Sequence, residues 1–189
     1  MLDRLRTLAG PILLAVGRAF ARVSPSPWVW TILGVSLSVL AGIGYSVGGY
    51  SGQASGGLLV LAAGLFDVVD GAVARVTGTS TRRGAFMDST LDRVAEVAVY
   101  AGILYSGLAS GVIVLLALSA SLIVSYLRAK GDALGVSLSG VGVGERSERL
   151  ILLAGASLLG LVYWGVVGVL VIAVATAAER TRALYAQLR

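Results

Sequence analysis

Four aspartates carry the chemistry that this sequence suggests. Asp67 and Asp70 are spaced i, i+3, and Asp88 and Asp92 are spaced i, i+4. On a helix, each spacing puts both members of the pair on one side. Apolar residues surround them: Leu65, Phe66, Val68 and Val69 at the first pair, Phe86 and Met87 at the second. Carboxylates that converge in such surroundings repel one another and are costly to desolvate. A bound divalent cation relieves both costs. The chain has no cysteine and no histidine, so a metal must be held by oxygen. An all-aspartate set favours Mg²⁺ or Mn²⁺ over zinc or copper.

The elements that position these acids are expected to be membrane helices. Of 189 residues, 57% are hydrophobic and only 13% charged, against about 25% charged in soluble domains. That composition excludes a soluble globular protein, a disordered chain and a DNA-binding module, so no nucleic-acid partner is expected. The charges fall in four clusters, 3–22, 67–96, 128–149 and 179–189. Between them lie three charge-free stretches, Val23–Phe66, Val97–Leu127 and Leu150–Ala178. Each stretch has a turn signal near its middle: Gly48-Gly49 through Gly56-Gly57 in the first, Ser106-Gly107 and Ser110-Gly111 in the second, Gly160 and Gly165 in the third. A span needs about 20 residues.

The pattern therefore predicts an all-α integral membrane protein of one domain, 1–189. Six transmembrane helices are expected near 26–48, 52–76, 84–106, 110–132, 146–161 and 163–185, together a six-helix bundle over 26–185. Three hairpins put all four charged clusters on one face, which the positive-inside rule makes cytoplasmic. A multi-pass plasma-membrane protein with its acids facing the cytoplasm follows. Reading Leu150–Ala178 as one tilted span would instead leave Arg180, Arg182 and Arg189 outside. Residues 2–22 precede the first span. Leu2, Leu5, Ala9, Ile12, Leu13, Val16 and Phe20 share a helical face with arginines elsewhere, the pattern of an amphipathic interfacial helix, kinked at Pro11. A signal peptide fits less well, because Arg18 and Arg22 interrupt the apolar run and no small-residue cleavage site follows. Helix capping, or pairing with Arg75, Arg82, Arg83 and Arg93, accounts for Asp88 alone. It does not account for four acids at the end of membrane helices, where acids are functional by default.

Read in full, Asp67 to Asp92 is DVVDGAVARVTGTSTRRGAFMDSTLD, which fits D-x2-D-G-x2-A-R-x8-G-x3-D-x3-D without a gap. This resembles the signature of the CDP-alcohol phosphotransferase family. The resemblance implies six transmembrane helices after an interfacial N-terminal helix, and displacement of CMP from a CDP-linked lipid by an alcohol. It implies that Asp67, Asp70, Asp88 and Asp92 bind one or two Mg²⁺ or Mn²⁺ ions on the diphosphate, and that Asp92 is the general base. The CDP-lipid site would comprise Asp67, Gly71, Ala74, Arg75 and Gly84. Pro27 and Thr31 are similar to the family's P-x3-T element near the nucleotide, although proline also suits the first turn of any helix. Members are often homodimers, so a homodimer is an expected assembly.

The third charged cluster bears on the acceptor. Ser125-Tyr126-Leu127-Arg128-Ala129-Lys130 closes the fourth expected span, and Gly144-Glu145-Arg146-Ser147-Glu148-Arg149 opens the fifth. These runs resemble those of the family's inositol-phosphate synthases, which take inositol 1-phosphate. Related sequences often carry Lys-Ala-Arg where this one has Arg128-Ala129-Lys130, which keeps charge but alters geometry. A phosphorylated polyol needs cationic donors, which Arg128, Arg146 and Arg149 supply, with Ser125 beside them. The same cations, with Lys130, Arg180 and Arg182, also suit anchoring at headgroup level and pairing with Glu145 and Glu148. Glycerol 3-phosphate, the acceptor of a phosphatidylglycerophosphate synthase, is the nearest rival. Neutral acceptors explain the basic cluster less well. The donor is CDP-diacylglycerol or CDP-archaeol. A cation transporter would need acids near the bilayer midplane and an inverted repeat, and the sequence shows neither.

Overall fold

Each charge-free stretch folds back on itself at a glycine. Gly48, Gly107 and Gly160 have φ of 75°, 68° and 74°, a left-handed conformation that glycine adopts without a Cβ clash. The computed structural model describes the backbone of residues 2–188 and side chains from residue 10; the side chains of Leu2, Leu5 and Ala9 lie outside it. Its elements are α1 (Leu2–Ala21), α2 (Pro27–Ser46), α3 (Gly49–Thr77), α4 (Arg82–Ser106), α5 (Gly111–Ala133), α6 (Arg146–Leu158) and α7 (Val162–Gln187), with no strand among the described residues. The break between α6 and α7 removes the reading of Leu150–Ala178 as one continuous span.

Four of these helices, α2, α3, α5 and α7, are long and apolar enough to cross a membrane. The other two of the expected six differ for different reasons. α4 carries charges from Arg82 as far as Glu96, and α6 has only 13 residues.

Small residues let the helices approach closely, as is usual where apolar helices pack in lipid. A Cβ on Gly102 of α4 would collide with the backbone of Gly42 on α2. Around this contact lies the largest apolar cluster, which includes Tyr45, Val60, Val99, Tyr100, Ile103, Leu153 and Val166. α1 crosses α3 where Gly17 meets the carbonyl of Ala72. Phe20 then meets Trp30 edge-on at 5.0 Å, and Trp30 stacks on Phe66 at 6.0 Å. Val16 joins this cluster, but Ile12 on the same expected face is 66% exposed. Among the described residues of α1, Val16, Gly17, Phe20 and Ala21 make the packing contacts.

The two ends of the bundle differ in chemistry. The uncharged turns gather at one end: Tyr50 Oη donates to the Leu158 carbonyl at 3.2 Å, and Val162 N–H donates to Gln53 Oε1 at 3.0 Å. The second contact satisfies an amide at the start of α7 that has no partner within its own helix. At the other end, Arg146 of α6 reaches Asp67 of α3 and Asp92 of α4. Each charge-free stretch is a pair of helices joined by a short turn.

Candidate active site

Residues 78–81 join α3 to α4, and both helices pack against α2, which brings the two pairs of aspartates to one pocket. Thr81 Oγ1 accepts from Gly84 N–H at 3.0 Å and caps α4, which is where a helix needs a side-chain acceptor. One oxygen each of Asp67, Asp88 and Asp92 lies within 4.8 Å of the others. At that separation two unit charges repel by about 3.5 kcal/mol at an effective dielectric of about 20. The single Arg146 guanidinium between them, with Nη1 2.9 Å from Asp67 Oδ1 and 2.9 Å from Asp92 Oδ1, does not neutralise three carboxylates. Arg93 lies farther off, 3.7 Å from Asp92 Oδ2.

Asp70 is placed differently. It is 7% exposed, and its Oδ2 accepts from Thr31 Oγ1 at 2.7 Å. It therefore stands beside the trio rather than in it, although all four acids line one small pocket between α2, α3 and α4. Asp88 Oδ1 is buried without a hydrogen-bond partner. A buried, unsatisfied hard oxygen beside two more carboxylates fits a Mg²⁺ or Mn²⁺ ligand set.

Two larger cavities flank the acids. The first, about 830 Å³, is lined by Pro27, Thr31, Asp70, Gly71, Ala74, Arg75, Gly84 and Asp88. These include every residue expected at the CDP-lipid site except Asp67, which faces only the small acid pocket. Ser26, Trp28, Thr77, Thr79, Ser80 and Thr81 also line it. Sequence reasoning passed over this hydroxyl-rich rim, although four of its residues fall in the unspecified x8 gap of the motif and the loop that closes it. The second cavity, about 780 Å³, is lined by Asp88, Asp92, Arg93, Ser125, Arg128, Arg146, Arg149 and Arg180. All four residues expected at an acceptor site line it, whereas Lys130 does not.

The cations in the second cavity are not equivalent. Arg128 is exposed. Arg149 is 2% exposed and committed elsewhere: Nη2 lies 3.3 Å from Glu96 Oε1, and Nη1 donates to the Gly144 carbonyl at 2.7 Å. Arg180 is also buried. It donates to the carbonyls of Val141 and Val124, each at 3.0 Å, and lies 4.0 Å from Glu145. Neither Arg180 nor Glu96 was assigned a site role from sequence.

The acids divide between the cavities. Asp70 lines the first cavity and not the second, Asp92 the second and not the first, and Asp88 both. The model of the family described as CDP-alcohol phosphatidyltransferase matches residues 25–180, which hold both cavities and all four acids. The chain belongs to this family. The transferase is 32% identical over 166 residues to the archaetidylinositol phosphate synthase of Pyrococcus horikoshii, an overlap covering 88% of this chain and 87% of that one. It is 38% identical over 149 residues to the phosphatidylinositol phosphate synthase of Mycobacteroides abscessus, covering 75% and 66% of the two chains. The crystal structure of Mycobacterium tuberculosis phosphatidylinositol phosphate synthase in complex with manganese and citrate matches with a TM-score of 0.78 at 30% identity, over 92% of this chain and 88% of that one. The structure of the same enzyme with CDP-DAG bound matches with a TM-score of 0.73 at 32% identity, over 93% and 92%. The transferase is a membrane enzyme of phospholipid biosynthesis, with an aspartate cluster suited to a divalent metal.

Proposed function

We propose that the protein transfers the phosphatidyl or archaetidyl group of a CDP-activated lipid to inositol 1-phosphate, giving an inositol-phosphate phospholipid and CMP. The observation that carries the reading is the division of the acids between two cavities. A donor bound beside Asp70 and an acceptor bound beside Asp92 would meet at Asp88. The relatives named above as inositol-phosphate lipid synthases support the choice of acceptor, as does the basic lining of the second cavity.

The residues take the following roles. The first cavity receives the CDP group, with Gly71, Ala74 and Gly84 leaving room for it and Arg75 adding a fixed positive charge. Thr31 orients Asp70 by its hydrogen bond. Asp67, Asp70, Asp88 and Asp92 hold Mg²⁺ or Mn²⁺, which when bound offsets the charge of the diphosphate and of the departing CMP. Arg128, Arg146 and Ser125 receive the acceptor's phosphate as charge-assisted hydrogen-bond donors. Asp92 takes the proton of the acceptor hydroxyl. That oxygen forms a bond to the lipid-side phosphorus, the bond from this phosphorus to the CMP oxygen breaks, and CMP leaves with the electron pair. Positioning and charge stabilisation supply most of the acceleration in reactions of this kind.

The six-span topology belongs to the same proposal. α4 and α6 cross with the other four helices, α1 lies at the interface, and both cavities open toward the cytoplasm. Every described arginine and lysine then lies on the side that the positive-inside rule makes cytoplasmic.

The test is CMP release by detergent-purified protein given CDP-diacylglycerol or CDP-archaeol and Mg²⁺, with inositol 1-phosphate, glycerol 3-phosphate, inositol and serine compared as acceptors. Inositol 1-phosphate is expected to give the highest kcat/KM. A higher value for glycerol 3-phosphate would overturn the acceptor assignment. Absence of CMP release with every acceptor would return the cation-transporter reading.

A further inference from the structure

α1 presents three different faces, and the rest of the protein covers one of them. Val16, Gly17, Phe20 and Ala21 pack against α2 and α3. A second face, formed by Ile12, Ala15, Ala19 and Val23, is apolar and exposed, with Ile12 at 66% and Val23 at 79%. The third carries Arg18 and Arg22, spaced i, i+4 and both exposed. The N–H groups of Val23 and Ser24 both donate to the Phe20 carbonyl at 3.0 Å. The turn therefore continues past Ala21 and keeps Arg22 and Val23 in register with α1. Neither Arg18 nor Arg22 is in an ion pair among the described residues.

The helix dipole favours a cation in the last turn of α1, but it gives no reason for an apolar strip beside two cations. That combination excludes two environments. In hydrocarbon, unpaired arginines are costly. In water, the strip from Ile12 to Val23 would lie uncovered. At headgroup depth the strip enters the acyl region while the guanidinium groups stay among the phosphates. A guanidinium has only donors and pairs with phosphate oxygens through parallel hydrogen bonds. Every phospholipid offers such oxygens, but a zwitterionic headgroup brings its own cation to them and an anionic one does not. Charge complementarity therefore selects the anionic lipid. A soluble polyanion would leave the strip bare.

We propose that Arg18, Arg22 and the exposed strip of α1 form a docking surface for anionic bilayer phospholipid, separate from the donor's cavity. The inference rests on the interfacial placement of α1 in the topology proposed above. The surface adjoins the first cavity through the chain itself. α1 leads into Pro25, Ser26 and Trp28, which line that cavity. Phe20 and Ser24 also hold Trp30 of α2, by the edge-on ring contact at 5.0 Å and by the Trp30 Nε1 hydrogen bond to the Ser24 carbonyl at 3.1 Å. Anionic lipid bound at α1 thus holds the rim of the first cavity at headgroup depth, the level of a lipid-linked diphosphate.

The chain has no cysteine, so Ala19→Cys accepts a single fluorophore on the exposed side of α1. The labelled protein is reconstituted in phosphatidylcholine vesicles without CDP-lipid. A minor fraction of the lipid is nitroxide-chain phosphatidylglycerol or, in parallel, nitroxide-chain phosphatidylcholine, and quenching reads the local enrichment of each. Phosphatidylglycerol is expected to be enriched over phosphatidylcholine by about fivefold for one arginine and up to about thirtyfold for two at low salt. The ratio should fall as salt is raised, because exposed charges are screened. Arg18→Gln combined with Arg22→Gln should bring it close to unity, with melting temperature in detergent checking the fold. If that variant does not fold, the salt dependence of the wild-type ratio decides. A wild-type ratio near unity, a ratio indifferent to salt, or an unchanged ratio in the folded double variant overturns the proposal. So does a ratio abolished by an equimolar amount of CDP-lipid, which assigns the surface to the donor. Quenching by neither lipid overturns it together with the interfacial placement of α1, whereas equal quenching by both overturns it alone. None of these readouts depends on turnover, so failure of the acceptor assignment is seen separately.

Discussion

Thr31 is the smallest handle on the donor side, and its contribution follows from two distances. Its hydroxyl donates to Asp70 Oδ2 at 2.7 Å, while the Pro27 carbonyl lies 3.2 Å away. One proton serves both, and the shorter, charge-assisted contact is the stronger. Asp70 is buried, so water does not replace a lost donor. Thr31→Val keeps the shape of the side chain and removes only the hydroxyl. A hydrogen bond to a charged group is worth about 1.5–3 kcal/mol, and each tenfold change corresponds to about 1.4 kcal/mol. The expected loss is therefore roughly tenfold to 150-fold in kcat/KM for CDP-lipid. Asp70 lines the first cavity, proposed for the donor, and not the second, proposed for the acceptor. The KM for acceptor at saturating donor should accordingly change little. Thr31→Ser keeps the hydroxyl and should recover most of the loss. The assay is CMP release across a CDP-lipid titration at fixed Mg²⁺ and acceptor, with thermal melting to confirm the fold. A folded Thr31→Val enzyme within twofold of wild type would refute the view that this bond orients Asp70 for the donor.

Four further outcomes are expected. Asp92→Asn should abolish turnover while CDP-lipid binding, followed by equilibrium titration with labelled donor, is largely kept; wild-type turnover in this variant rejects the base assignment. Arg128→Ala should raise the KM for the phosphorylated acceptor about tenfold or more, with little change for the donor; an unchanged acceptor KM removes Arg128 from that site. Treatment with EDTA should stop CMP release, and Mg²⁺ or Mn²⁺ should restore it; activity that survives exhaustive chelation contradicts the metal reading. Gly102→Leu forces a side chain against the Gly42 backbone and should lower stability by about 1–3 kcal/mol or more, seen as a clear drop in melting temperature; an unchanged melt means that α2 and α4 do not pack as described.

The acids were legible in the sequence because their geometry is local. Helical spacing puts the members of each pair on one side, and the short link at 78–81 keeps the ends of the two helices that carry them near each other. Helix ends were legible for a similar reason, since charge-free runs broken by glycine leave few places to turn. Partners distant along the chain were not. Glu96 and Arg149 are 53 residues apart, and nothing in either local pattern selects one for the other. Arg180 reads from sequence as an interfacial anchor. Its burial depends on the path of the loop to whose Val141 carbonyl it donates, and that path is a tertiary property. Thr31 came from resemblance, but its bond to Asp70 appears only when α2 is laid against α3. Ile12 shows the converse limit. Periodicity gives the apolar face of α1, not which part of that face the protein itself covers.

The shortness of α6 explains why buried arginines surround the second cavity. Thirteen residues extend about 20 Å at 1.5 Å per residue, roughly 10 Å less than the hydrocarbon core. In the six-span topology proposed above, α6 meets the uncharged turns at one end and stops short of the cytoplasmic surface at the other. The missing length is filled by the loop at 134–145. Non-helical backbone is tolerated at membrane depth only where protein or a wet cavity satisfies it. Here the arginines satisfy it: Arg149 donates to the Gly144 carbonyl, and Arg180 to that of Val141. Val136 and Leu138 pack against Leu184 and tie the loop to α7. A recessed pocket results, with a polar floor at Arg146 and Asp92. Such a pocket suits a water-soluble, anionic acceptor that must reach a phosphorus atom attached to a lipid. A full-length α6 would close this access, and a longer loop without its arginines would expose unpaired backbone to lipid. The short helix, the inward loop and the buried cations are therefore one solution to the problem of joining a soluble phosphate ester to a membrane-bound donor.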